Sequence, residues 1–119
     1  MEIKIVRFKD GLDVICDCTS VSSPTNDQYK IVDPMLFEIR GVNLMLQYWL
    51  PVAVMKDNFV YVNKEDILCT MDPNDDFAEY YVESLRRMKE ENLKDKEVAL
   101  TDEVLLAFEE KDLTKSLLH

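Results

Sequence analysis

The tetrad Asn63-Lys64-Glu65-Asp66 lies between two apolar runs, in FVYVNKEDILCTM over residues 59–71. An amide beside an ammonium could hold a phosphate or the edge of a base. Asn and Asp at the ends of four polar residues are equally what a plain turn between two strands requires. Both readings stay open at this level. The other chemistry-bearing residues are sparse. Cys16, Cys18 and Cys69 are the three cysteines, and the only histidine is His119. Cys16 and Cys18 stand two apart in an apparent strand, on one face, where a disulfide is geometrically awkward. With no histidine nearby and no second close ligand pair, they read as buried, reduced, metal-free thiols acting as small hydrophobes. The two glycines, Gly11 and Gly41, build no phosphate loop. A hydrolase triad or an imidazole acid–base centre lacks its histidine. The carboxylate pair Asp75-Asp76 reads as the start of a helix. No catalytic, cofactor or metal site is expected, and the chain is not read as an enzyme.

Composition narrows the classes further. The chain has 119 residues, 47% of them hydrophobic, enough for one domain with one core. Its formal net charge is -10. Phosphate backbones are bound largely through Lys and Arg, so this balance argues against a general nucleic-acid binder, though a local basic patch on one face of an assembly stays compatible with it. No apolar run approaches the roughly 20 residues of a membrane helix, so no membrane partner is expected. The start, MEIKIVRF, goes straight into strand pattern, so no targeting peptide is expected, and three cysteines suit a reducing cytoplasm.

The elements that must position these residues follow from period and punctuation. IKIVRF (3–8) reads as a strand, KDG (9–11) as a hairpin turn, and LDVICDCTSV (12–21) as a strand with Leu12, Val14, Cys16 and Cys18 on one face and Asp13, Ile15 and Asp17 on the other. SSPTNDQ (22–28) reads as a loop and YKIVDPMLFEIR (29–40) as extended chain in which Pro34 marks a bulge, a bend or an edge. NLMLQYWLPVAV (43–54), broken by Pro51, is the next run; FVYV (59–62) and ILCTM (67–71) flank the tetrad. From DPNDDF the period becomes helical, with Phe77, Tyr81, Leu85 and Met88 on one stripe and Asp75 and Asp76 at the N-terminus. NLKDKE (92–97) reads as a linker, TDEVLLAFEEK (101–111) as a shorter helix and DLTKSLLH as a frayed end. Five short strand runs followed by helix predict a mainly β protein: a small, strongly bent five-stranded barrel with one or two C-terminal helices over 1–91, and a linker with a short helical extension over 92–119.

The order and spacing resemble the Sm and Sm-like family. There, a fourth strand ends in Ile-Arg-Gly, a short polar turn follows, and a fifth strand begins. VYVNKEDILCT has the same count, with Val62 at the strand end and Ile67 opening the next strand. IKIVRFKDGLDVICDC is similar to the family's first hairpin. The sequence DP (33–34), WLP (49–51), DP (72–73) and AEYY (78–81) looks like the layout of short Sm-like proteins of cyanophage and related tailed phages. The resemblance covers roughly residues 2 to 85, and no single motif in it is specific. The Arg-Gly of the second motif is replaced by Asn63-Lys64, and the first motif's Asp-Phe-Met-Asn is absent, the second loop offering Asn26, Asp27 and Tyr29. IRGVN (39–43) almost spells the second motif but falls one strand early and reads as a turn.

The resemblance implies a homo-oligomeric ring closed by edge pairing, through Phe59, Val60, Tyr61 and Val62 of one copy and Ile67, Leu68 and Cys69 of the next. Two functions are compatible with it. One is binding of single-stranded RNA (or DNA) in RNA processing or regulation, with Asn63 and Lys64 at the pore and Asn26 and Tyr29 on the neighbouring loop. The other is a protein-interaction or scaffolding ring of phage origin, meeting a host or phage protein in the host cytoplasm without nucleic acid.

Overall fold

The computed structural model describes residues 1–91. Met1–Leu85 form one compact unit and Arg86–His119 a second. The expected linker 92–97, the helix 101–111 and the tail after it lie outside the described residues. The first unit is mainly β, a single antiparallel sheet followed by a helix. Its strands are β1 (Ile3–Phe8), β2 (Asp13–Ser22), β3 (Asp27–Arg40), β4 (Asn43–Tyr48), β5 (Phe59–Asn63) and β6 (Ile67–Met71). Residues 75–91 are helical (α1).

The strand order is β4-β3-β2-β1-β6, with β5 also paired to β3. Two expectations change here. There are six strands rather than five, and among the described residues β5 and β6 do not pair with each other, so one chain leaves its sheet open. The physical reason lies in the run 43–54. The chain leaves β4 after Tyr48, Pro51 carries no N–H, and Val52–Val54 form a single 3-10 turn. The chain then returns as β5 along the other half of β3.

That division depends on a bulge in β3. Ile15 lies opposite Met35 but Asp17 lies opposite Val32, so β3 holds one residue more than β2 across this interval. The extra residue is at Asp33-Pro34, where Asp33 takes φ 52°. Before the bulge, Gln28–Val32 pair with β5; after it, Met35–Arg40 pair with β4. Pro34, expected at a bulge, a bend or an edge, is at the bulge. The loop expected over 22–28 is shorter. Ser22 already pairs with Asp27, and only residues 23–26 turn. Gly11 (φ 95°) closes the first hairpin and Gly41 (φ 60°) the IRGVN turn, conformations that favour glycine.

The sheet is buried on both faces. On one, Val6, Val14, Cys16, Cys18 and Ile31 form a closed cluster, lined by Phe8, Trp49, Val60, Val62 and Ile67. On the other, Met71, Ile5, Ile15 and Met35 stand opposite one another across four strands. Ile15 lies, as expected, on the face of β2 opposite Val14 and Cys16. It is fully buried because the start of α1 covers that face. Phe77 meets Phe37 edge-on at 5.1 Å, Tyr81 is fully buried, and its hydroxyl donates to the Asp33 carbonyl at 2.7 Å. Burying a side chain of this size contributes about 1.5–3 kcal/mol, so Ile15 and Met35, both fully buried, each stabilise this face of the sheet. Asn74 caps α1, its Oδ1 accepting the Phe77 N–H at 2.8 Å, while Asp75 and Asp76 fill the first turn, where the helix dipole favours negative charge.

Candidate functional site

The β2–β3 loop and the β5–β6 turn meet because β5 runs along the first half of β3. Gln28 pairs with Asn63 and Tyr29 with Val62, which brings residues separated by more than thirty positions to one end of the sheet. There, Thr25, Asn26, Asp27, Asn63, Lys64 and Glu65 line a cleft of about 380 Å3. Tyr29 lies beside it, with the Lys64 ammonium 5.0 Å from the ring centroid. All four residues proposed from the sequence for nucleic acid, Asn26, Tyr29, Asn63 and Lys64, are thus neighbours.

Their hydrogen bonds define what each can do. Asn63 ends β5, and its Oδ1 accepts from Gln28 Nε2 at 2.9 Å. Asn26 closes the loop by its backbone, its N–H donating to Ser23 Oγ at 3.0 Å and its carbonyl accepting from the Ser23 N–H at 2.7 Å. Lys64 opens the 3-10 turn Lys64–Asp66 and folds back over β2. Its Nζ donates to Ser20 Oγ, stands 3.5 Å from Ser22 Oγ and 3.0 Å from Asp27 Oδ1. The bond from Lys64, reinforced by the Ser22 hydroxyl, holds the Asp27 carboxyl below its ordinary pKa. Local charge is one cation against Asp27 and Glu65 in the cleft, with Asp66 next in sequence. Ser20 and Ser22 were not singled out in the sequence. Their spacing of two in a strand puts both hydroxyls on one face, but only the β5 register brings a lysine to them.

A second feature is the open strand edges: among the described residues β4 and β5 each pair only with β3, and β6 only with β1. Antiparallel partners alternate between bonded and non-bonded pairs. The Asp33 N–H donates to the Asn58 carbonyl at 2.8 Å, which sets the phase, so Val60 and Val62 turn their backbone groups toward β3 and Tyr61 turns its outward. The Lys9 N–H donates to the Asp66 carbonyl at 3.0 Å, so alternate β1 residues, Arg7 and Ile5, also bond to β6; past the bulge at Leu68 their partners are Cys69 and Met71, and Thr70 faces out. The exposed apolar side chains of these strands are Tyr61 (49% exposed) and Leu68 (61%), while Val60, Val62 and Ile67 turn to the core cluster. Phe59 packs edge-on to Tyr61 at 5.7 Å under the Lys30 ammonium.

Neither a scan against protein-family models nor a search of the curated proteins finds a match for this chain. Among the described residues no three His, Cys, Asp or Glu side chains are grouped to hold a metal ion, and no helix is long and apolar enough to cross a membrane. Cys16 and Cys18 are buried in the core cluster and Cys69 is exposed on β6. A thiol–thiol hydrogen bond to Cys18, then burial, push the Cys16 thiol up, away from the reactive thiolate.

Proposed function

We propose that the chain is an Sm-like subunit of a homo-oligomeric ring, joined through β5 of one copy and β6 of the next, and that the ring serves as a scaffold for a host or phage protein. The observation that carries this reading is the open edges of β5 and β6, whose outward backbone groups pair with no other strand among the described residues and which each show an exposed apolar side chain. Edges of this kind recruit a further strand. A contact between two different edges is heterologous and closes into a ring when its rotation allows. The scaffold reading is preferred to nucleic acid because Lys64 is already neutralised by Asp27 and the formal net charge is -10. A second reading, single-stranded RNA in the ring's pore, is favoured by one observation, the gathering of Asn26, Asn63 and Lys64 in one cleft with Tyr29 beside it.

Sedimentation equilibrium tests the ring. The wild-type chain should be an oligomer at micromolar concentration. Proline removes an N–H, so the informative positions are those whose N–H points outward: Tyr61→Pro and Thr70→Pro should each give folded monomers. Val60 and Cys69 are the wrong positions, since their N–H groups serve β3 and β1 and proline there would damage the subunit itself. A folded wild-type monomer at that concentration would end the proposal.

A further inference from the structure

The contacts around Lys64 are unequal in a way that an ordinary surface ion pair is not. The lysine is fixed: its side chain is 26% exposed, its ammonium is bonded to Ser20 and it lies against the Tyr29 ring. The carboxylate is loose: the Asp27 side chain is 65% exposed, at the mouth of the cleft. Both donors converge on a single oxygen, Asp27 Oδ1, which accepts from Ser22 Oγ at 2.8 Å and from Lys64 Nζ at 3.0 Å. An ammonium and a hydroxyl aimed at one oxygen from one side, on a floor that does not depend on the acceptor, are the parts of an oxyanion site. Asp27 stands where the ligand's oxygen would stand.

We propose that Lys64, Ser22 and Ser20 form a seat for one phosphate oxygen and that the Asp27 carboxylate occupies it, so that the cleft is autoinhibited until Asp27 swings out. The inference rests on the RNA reading of this cleft and supplies its regulation. Exposed ion pairs are weakly held and screened by salt, so Asp27 can leave, while Ser20 and Tyr29 keep Lys64 in place. With Asp27 in position an incoming phosphate meets a filled seat and a like charge. With Asp27 displaced it meets a preorganised cation, with Glu65 as the remaining opposing charge on the cleft wall.

The test compares wild type with Asp27→Ala and the shape-conserving Asp27→Asn. The control Glu65→Ala makes the same charge change in the same cleft without touching the seat, and Asp27→Ala/Lys64→Gln removes the seat altogether. Two probes separate the sources of phosphate: inorganic phosphate, followed by chemical shifts of Ser20 and Tyr29, and a fluorescein-labelled single-stranded oligouridine, followed by anisotropy. Emptying the seat should tighten both by about tenfold or more, the scale of removing one charge at contact distance in a partly screened site. The slope of log affinity against log salt for the oligouridine should steepen by about 0.7, one more phosphate contact. The double variant should lose the gain. Equal binding by wild type and both Asp27 variants would overturn the masking and leave the RNA reading standing. An equal gain in Glu65→Ala would reduce the effect to general charge relief and overturn the seat. Phosphate binding by Asp27→Ala without oligouridine binding would keep the seat and remove the RNA reading. No binding of either probe by any variant would overturn both.

Discussion

At the residue scale, Asp33 decides the most. It is 7% exposed, takes a left-handed φ that few residues other than glycine adopt, and lies one position before a proline. Asp tolerates this conformation better than a bulky or branched residue does. Three elements meet on it. Its N–H donates to the Asn58 carbonyl ahead of β5, its carboxylate accepts from Asn58 Nδ2 at 3.3 Å, and its carbonyl accepts from the Tyr81 hydroxyl of α1. The bulge, the return of the chain into β5 and the seating of the helix are therefore one arrangement. Tyr81→Phe keeps the ring and removes the buried hydrogen bond to the Asp33 carbonyl. A loss of about 1–3 kcal/mol is expected, read as a lower urea midpoint with an unchanged slope. Burial, then the negative charge of Asp33, push the Tyr81 phenol above its ordinary pKa. A group whose folded pKa is raised contributes stability that is complete below its unfolded pKa and is lost as pH rises beyond it. Wild type should therefore weaken above about pH 10, and Tyr81→Phe should lose that part of the alkaline slope.

At the scale of elements, the end of β6 and the start of α1 show what one side chain contributes. The Asn74 side chain caps the first turn, so Asn74→Ala should cost about 1 kcal/mol, measured by thermal or urea unfolding, whereas Asp75→Asn should cost less because it removes only a dipole interaction. Asp75 and Asp76 were read from the sequence as the residues that start this helix; the one that caps it is their neighbour. The same kind of shift recurs along the chain. IKIVRF, KDG and ILCTM were legible because strand alternation and turn chemistry are local. The bulge was legible as a property of Pro34, since proline cannot sit in an unbroken ladder. The end of β4 was not legible, because Tyr48, Trp49 and Leu50 are as apolar as a strand interior and only the change of partner along β3 ends the pairing. The face of Ile15 was legible but its burial was not, for a related reason: strand alternation says which residues share a face, but not that a helix will cover the second face. The cleft was legible in three of its lining residues, Asn26, Asn63 and Lys64, and in Tyr29 beside it. Its internal ion pair was not, since the Asp27–Lys64 contact depends on the register of β5 on β3, which no local signal specifies.

At the scale of the whole molecule, charge and edge chemistry pull in opposite directions, and salt separates them. Every copy carries a formal charge of -10, so copies repel one another at low ionic strength. The proposed contact between β5 and β6 runs through backbone groups and the apolar Tyr61 and Leu68, neither of which salt weakens. Near 0.15 M salt the Debye length falls to about 8 Å and most of the repulsion between subunits is screened. Assembly should therefore strengthen as salt rises from low to physiological, with the sedimentation equilibrium shifting toward oligomer. RNA binding would respond with the opposite sign, because each phosphate contact releases counterions and weakens with salt. Lys64→Glu extends the comparison. It places a second carboxylate beside Asp27 at one end of the sheet, away from the outward groups of Tyr61 and Thr70. Oligomerisation should survive this change, while any binding of a single-stranded oligonucleotide should fall along with its salt dependence. Assembly that weakens steadily with salt would mean that ion pairs, and not strand edges, join the subunits. Loss of the oligomer in Lys64→Glu would place the hairpin and turn, rather than the β5 and β6 edges, at the subunit contact.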